Sequence, residues 1–151
     1  DFMKSKIKKK LVIITKLSSS HYYSELVEKT SLEKDKRIIF IDGVYDQVKL
    51  ATIRKNAYLY IHGHSVGGTN PSLIEALSLT DLNLLYDVCF NHDIGLDTAL
   101  YFKEEGSLKK VLDNIKLLDQ KREELGPKAK KRIQENFTWD KIVEEYKDIM
   151  K

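Results

Sequence analysis

Short, unbroken apolar runs alternate along this chain with stretches of helical length, and that alternation constrains the fold most. Leu11-Val12-Ile13-Ile14-Thr15, Arg37-Ile38-Ile39-Phe40-Ile41, Ala57-Tyr58-Leu59-Tyr60-Ile61 and Leu82-Asn83-Leu84-Leu85-Tyr86 are candidate strands, and Thr98-Ala99-Leu100-Tyr101-Phe102 is a shorter fifth. The first two lack polar alternation, which predicts strands covered on both faces, as in a parallel sheet. Helical segments lie between. Ser18-Ser19-Ser20 offers N-cap hydroxyls to a helix over Tyr22 to Lys29. Asp46 caps a helix with an apolar stripe of Val48, Leu50, Ile53 and Ala57. Asn70-Pro71 opens another, with Leu73, Ile74, Leu77 and Leu79 apolar. Alternation of this kind builds βαβ units: an α/β fold with a mostly parallel sheet and flanking helices.

From Ser107 the character changes to a charged, helical C-terminal segment: Ser107 to Leu125, Pro127 to Asn136 and Trp139 to Met150. Gly126-Pro127 predicts a helix stop and restart. Trp139, with Ile142, Val143 and Tyr146, is expected to pack the last helix onto the rest.

Length and composition exclude several functions. A chain of 151 residues is one domain's worth, enough to bury a core, and no internal boundary is visible. The net charge of +3 and the dispersed tyrosines argue against nucleic acid. No apolar run approaches the roughly 20 residues of a membrane span. The single cysteine, Cys89, excludes an internal disulfide framework and fits a reducing compartment. Flanked by Val88 and Phe90, it reads as core. Lys4, Lys6, Lys8, Lys9 and Lys10 form either a solvated face or an attraction for anionic lipid headgroups. The chain begins at Asp1 without an initiator Met or a signal pattern, and is expected to be an excised piece of something longer.

The segment that carries chemistry runs from His62 to Ala76 and joins a strand to a helix. In open α/β sheets ligands bind at the carboxyl ends of the strands, where this loop must lie. Gly67-Gly68 lets a ligand approach the backbone. Thr69 or Asn70 can cap the helix, and Pro71 suits its first turn. The free N–H groups of that turn and the helix dipole make an anion site suited to phosphate. Glu75 leans back toward the helix start and can accept two hydroxyls of one sugar ring. Phosphate beside a vicinal diol describes a nucleotide. The bland alternative is an ordinary loop, with Glu75 only favouring its helix. His62 and His64 form an H-x-H pair without a Cys or carboxylate at ligand spacing, so no metal is expected. His64, in the same loop, is the candidate for a role at a bound sugar or phosphate. Asn91-His92-Asp93-Ile94-Gly95 follows the fourth strand at the same edge, as a cleft segment or a surface turn.

His64-Ser65-Val66-Gly67-Gly68-Thr69-Asn70-Pro71-Ser72-Leu73-Ile74-Glu75-Ala76 closely resembles the donor-binding loop of family-four retaining glycosyltransferases. Among these it is most similar to bacterial rhamnosyltransferases of surface polysaccharides. Phe40-Ile41-Asp42-Gly43-Val44-Tyr45-Asp46, with the helix ending Arg54-Lys55-Asn56-Ala57, resembles the family's base-binding region. Asn136-Phe137-Thr138-Trp139-Asp140 and the following helix with Tyr146 resemble its C-terminal helix. The likeness spans Leu11 to Lys151, in the family's order.

The resemblance implies the Rossmann-like C-terminal domain of a two-domain GT-B enzyme. It implies transfer of a sugar, rhamnose by closest likeness, from a nucleotide-sugar to a saccharide or lipid-linked acceptor, with retention. Its expected setting is the cytoplasm, at the inner face of the membrane. The domain's first strand and the N-terminal acceptor domain are expected to lie outside the chain, with Asp1 to Ile7 the tail of a preceding helix. The implied nucleotide-sugar site is Gly43, Val44 and Tyr45 at the base, Ser65, Gly67, Gly68, Thr69 and Asn70 around the phosphates, and Glu75 at the ribose. The nucleotide-sugar is substrate, and no resident cofactor is implied. The family has two glutamates separated by seven residues; here the second is Glu75 and the first falls on Gly67. The rivals are a non-catalytic nucleotide-binding regulatory module and a sugar-nucleotide epimerase of the same architecture.

Overall fold

The computed structural model describes residues 1–16 and 21–150. The serine cap expected at Ser18-Ser19-Ser20 lies outside the described residues. Five strands alternate with helices: β1 (Leu11–Ile14), α1 (His21–Thr30), β2 (Ile38–Ile41), α2 (Gln47–Asn56), β3 (Tyr60–His62), α3 (Pro71–Leu79), β4 (Asn83–Tyr86), α4 (Cys89–Gly95) and β5 (Leu100–Phe102). Then α5 (Ser107–Leu112), α6 (Ile115–Asn136) and α7 (Trp139–Ile149) follow without a further strand. Every pairing is parallel, as crossover helices require, and the fold is Rossmann-like α/β. The strands form two sheets, β1-β2 and β3-β4-β5.

The sheets differ in cover. In β4, Leu84 and Leu85 have no exposure, as expected of a central strand between helix layers. In β1, Val12 is 43% exposed, so this two-strand sheet has one open face despite its apolar sequence. The main core packs Leu73 and Leu77 of α3 against Leu85, Ile94, Ala129 and Ile133. A second cluster of Leu82, Leu118 and Leu125 sits under Tyr58, Leu59 and Leu100.

Several expectations are corrected. Asp46 does cap α2, accepting from the Lys49 N–H at 3.0 Å, but Val48 is exposed and leaves the apolar stripe. Segment 107–125 breaks at Asn114, whose side chain caps α6 by accepting from the Leu117 N–H. Conversely, α6 runs unbroken through Gly126 and Pro127. A Cβ on Gly126 would stand 2.9 Å from the Asp81 carbonyl oxygen, so the helix is drawn against that backbone. The Asp81 carboxylate then takes Lys130 at 2.6 Å and Arg122 at 3.3 Å, one turn either side of the glycine. Tertiary contact thus overrides the local stop signal.

Asp1 to Ile7 carries no helix among the described residues. It is a turn, closed by Lys4 N–H to Asp1 and Ser5 N–H to Phe2 carbonyls. Arg37 gathers it, donating to the carbonyls of Ser5 at 2.9 Å and Ile7 at 2.7 Å. The lysine cluster is not one patch: Lys4 pairs with Glu105, and Lys9 lies over the Tyr58 ring at 3.8 Å. Cys89 is exposed rather than core. Trp139 is 82% exposed, and Val143, Tyr146 and Ile149 share its exposure, so α7 shows solvent an apolar face instead of packing it down. Among the described residues no helix is long and apolar enough to cross a membrane.

Candidate nucleotide-binding edge

The β3–α3 loop starts at His62, the last residue of β3, and ends at Asn70, the N-cap of α3. Asn70 accepts from the Ser72 N–H at 2.9 Å through its side chain and from the Leu73 N–H at 3.0 Å through its carbonyl. Pro71 has no N–H to offer. The first turn of α3 is therefore already satisfied, and the free donors expected there are absent. The loop itself carries them: the N–H groups of Gly67, Gly68 and Thr69, like those of Ser65, Val66 and Asn70 beside them, have no acceptor among the described residues. Consecutive free amides before a helix N-terminus are a group that can take an anion.

Gly67 has φ +136°, a backbone that side-chain-bearing residues rarely adopt. That backbone accounts for glycine at this position. Gly68 has no positive φ, and its Cβ position is open. Ser65, Val66 and Thr69 are exposed around it.

Glu75 is not alone. Its Oε2 pairs with Arg54 Nη1 of α2. The Arg54 side chain is only 11% exposed and the Glu75 side chain 44%. Arg54 is held in turn: its carbonyl accepts from Thr80 Oγ1 at 2.9 Å, locking α2 to the end of α3. Glu75 Oε1 has no partner among the described residues, so one oxygen remains available. Sequence reasoning quoted Arg54 only as part of a helix end; a cation in the last turn of a helix was the available signal.

Tyr60, His62 and His64 form a ring ladder leading into the loop. Tyr60 and His62 stack at 5.9 Å, and His62 and His64 at 4.6 Å. His62 is 1% exposed, and burial, with His64 beside it, pushes its pKa down to about 4. It stays neutral at pH 7, with Nε2 buried and unpartnered. His64 is exposed. Among the described residues no group of three or more His, Cys, Asp or Glu could hold a metal ion.

The segment 91–95 belongs to helix α4, not a surface turn. Buried Asn91 donates to the carbonyls of His64 at 3.1 Å and Tyr86 at 2.8 Å, tying the loop to the end of β4. The third expected region, Gly43-Val44-Tyr45, forms the β2–α2 loop. A Cβ on Gly43 would meet the Tyr45 hydroxyl at 3.1 Å, so the ring folds back over the glycine while 81% exposed. The structure brings together Glu75 and Arg54, and His64 and Asn91. It shows no hydrogen bond between the two glycine loops among the described residues. No family model matches the chain, and no curated protein matches it either.

Proposed function

We propose that the chain is the nucleotide-sugar-binding part of a retaining glycosyltransferase. The donor sugar is rhamnose on the closest sequence likeness, and the acceptor a saccharide or lipid-linked saccharide. One observation carries the reading: the unpartnered amides of Gly67, Gly68 and Thr69, within a loop of free N–H groups, lead directly into α3, with Glu75 one turn further in. The amides suit a diphosphate, and Glu75 Oε1 suits a ribose hydroxyl. Tyr45, exposed over Gly43, offers a ring for the base. The apolar face of α7 supports a further domain of the same protein as partner, and exposed Lys8 and Lys10 support contact with anionic lipid at the inner face of the membrane.

Calorimetric titration with a panel of nucleoside diphosphates tests the reading. One nucleotide should bind, and Gly68→Val should abolish that binding without lowering the melting temperature, because the branched side chain fills the approach to the amides and nothing else. A parent chain that binds no nucleoside diphosphate ends the proposal. Transfer or epimerisation is then read from products of the full-length protein: free nucleoside diphosphate with a transferred sugar, or an epimerised sugar nucleotide.

A further inference from the structure

The edge opposite the amide loop carries the chain's surplus of charge. Lys9 lies over the Tyr58 ring, so the starts of β1 and β3 stand together and the two sheets share one amino-terminal edge. The register sets Leu11 beside Ile38. It thereby brings Lys8 and Lys10, just before β1, alongside Lys34 and Lys36, just before β2. All four lysines are exposed, and none has an ion-pair partner among the described residues.

Arg37 fixes this surface. It donates to the carbonyls of Met3 at 3.1 Å, Ser5 at 2.9 Å and Ile7 at 2.7 Å, which binds the segment before β1 to the start of β2. Its Nη2 also holds Asp35 at 2.7 Å and so neutralises the nearest carboxylate. Glu33 accepts from the Tyr23 hydroxyl at 3.1 Å. Four lysines against Glu33 leave three positive charges in excess, as many as the net +3 of the whole chain, so the rest of the sequence is balanced. Helix dipoles do not account for the excess. Three of these lysines lie outside any helix, and Lys34 ends a single 3-10 turn, Leu32–Lys34, too short for a macrodipole.

A one-sided excess of charge costs self-repulsion, which an anionic partner offsets. Lysine ammonium groups on flexible stems suit a layer of mobile headgroups. Met3, 38% exposed and held by its carbonyl to Arg37, adds an apolar side chain that can enter that layer. A nucleic acid fits less well. Arg37, the arginine among these lysines, spends its donors on carbonyls and Asp35, and the nearby rings are already covered, Phe2 by Arg37 and Tyr58 by Lys9. We propose that this edge docks on an anionic lipid surface through Lys8, Lys10, Lys34 and Lys36. The proposal deepens the membrane contact of the proposed function and rests on that reading. The amide loop follows the carboxyl end of β3, at the other edge, so lipid and nucleotide bind without competing.

The test is co-sedimentation of the chain with vesicles of phosphatidylcholine alone and of phosphatidylcholine mixed with phosphatidylglycerol, at low and high salt. The parent should bind the anionic vesicles only and leave them at high salt. A variant combining Lys8→Gln, Lys10→Gln, Lys34→Gln and Lys36→Gln should bind them more weakly by about fivefold for each lysine lost. Its melting temperature and its affinity for nucleoside diphosphate should match the parent's. A control combining Lys103→Gln, Lys110→Gln, Lys128→Gln and Lys131→Gln removes the same charge elsewhere, and should stay within about threefold of the parent. A parent that ignores anionic vesicles, or a control weakened as much as the first variant, overturns the proposal. So does a parent that binds a single-stranded RNA oligonucleotide and no vesicle. A parent that binds the vesicles but no nucleoside diphosphate refutes the proposed function and leaves the docking edge standing.

Discussion

Glu75→Ala separates the ion pair that Glu75 makes from the ribose contact proposed for it. Its Oε2 neutralises Arg54, whose side chain is 11% exposed, while Glu75 itself is 44% exposed. Removing the carboxylate strands a guanidinium that water reaches poorly. A hydrogen bond to a charged group is worth about 1.5–3 kcal/mol, and an exposed ion pair at most about 1. Half-exposure of Glu75 places the loss between these, at about 1–2 kcal/mol, or about 2–8 °C in melting temperature for a chain of this size. Arg54→Ala should cost less through charge, because it leaves a carboxylate that water can solvate. The double variant should fall short of the summed losses by the coupling energy. Nucleotide affinity reads the other role. Loss of charge-assisted bonds to ribose should weaken binding by at least about tenfold, with Glu75→Gln intermediate. The assay is thermal melting of the four proteins beside calorimetric titration with the nucleoside diphosphate that the parent binds best. A Glu75→Ala chain that melts with the parent refutes the ion-pair argument. Parental affinity in the same chain refutes the ribose assignment.

Pro127→Ala should raise the melting temperature, because α6 is continuous and alanine restores an N–H to the Glu123 carbonyl and removes the ring clash. Were Pro127 a helix start, the substitution would be neutral or harmful. Gly126→Ala should lower stability by about 1–3 kcal/mol in urea unfolding, since the new methyl meets rigid Asp81 backbone. His62 should make stability fall as pH drops. Unfolded, it takes up its proton near 6.5; folded, burial holds the pKa near 4, so between these values the unfolded state binds more protons. The contribution is full above that window and falls by on the order of 3 kcal/mol by its lower end. Urea unfolding of parent and His62→Gln from pH 7 to 5 should show the steeper fall in the parent; equal slopes refute it.

Elements were legible where one period and one cap agreed. Asp46 and Asn70 each cap the helix that follows, because a short polar side chain before a helical stripe has few other local uses. The sequence misled where tertiary contact decided. Gly126-Pro127 carries every local mark of a break, yet Asp81 holds Arg122 and Lys130 on the same helix across it. Val12 and Val48 have the apolarity of buried residues, but burial depends on which neighbour arrives, and none covers them. The split into two sheets was equally hidden, since pairing is a property of two segments and the runs do not record their partners.

The binding edge was legible to a different depth. Glycines and a capping asparagine announced a phosphate loop, but not which amides stay free. Asn70 consumes the Ser72 and Leu73 donors that a helix start was expected to offer. The free amides are therefore those of the loop itself, Gly67, Gly68 and Thr69 among them, whose side chains say nothing about it. The same displacement removes a difficulty with Gly67. Where the amides themselves face the ligand, a glutamate in their midst would set its charge against a diphosphate, and its Cβ against a backbone at φ +136°. Glycine at this position is therefore what an amide cradle requires. Glu75, one turn further in, is kept in place by Arg54 from the neighbouring helix.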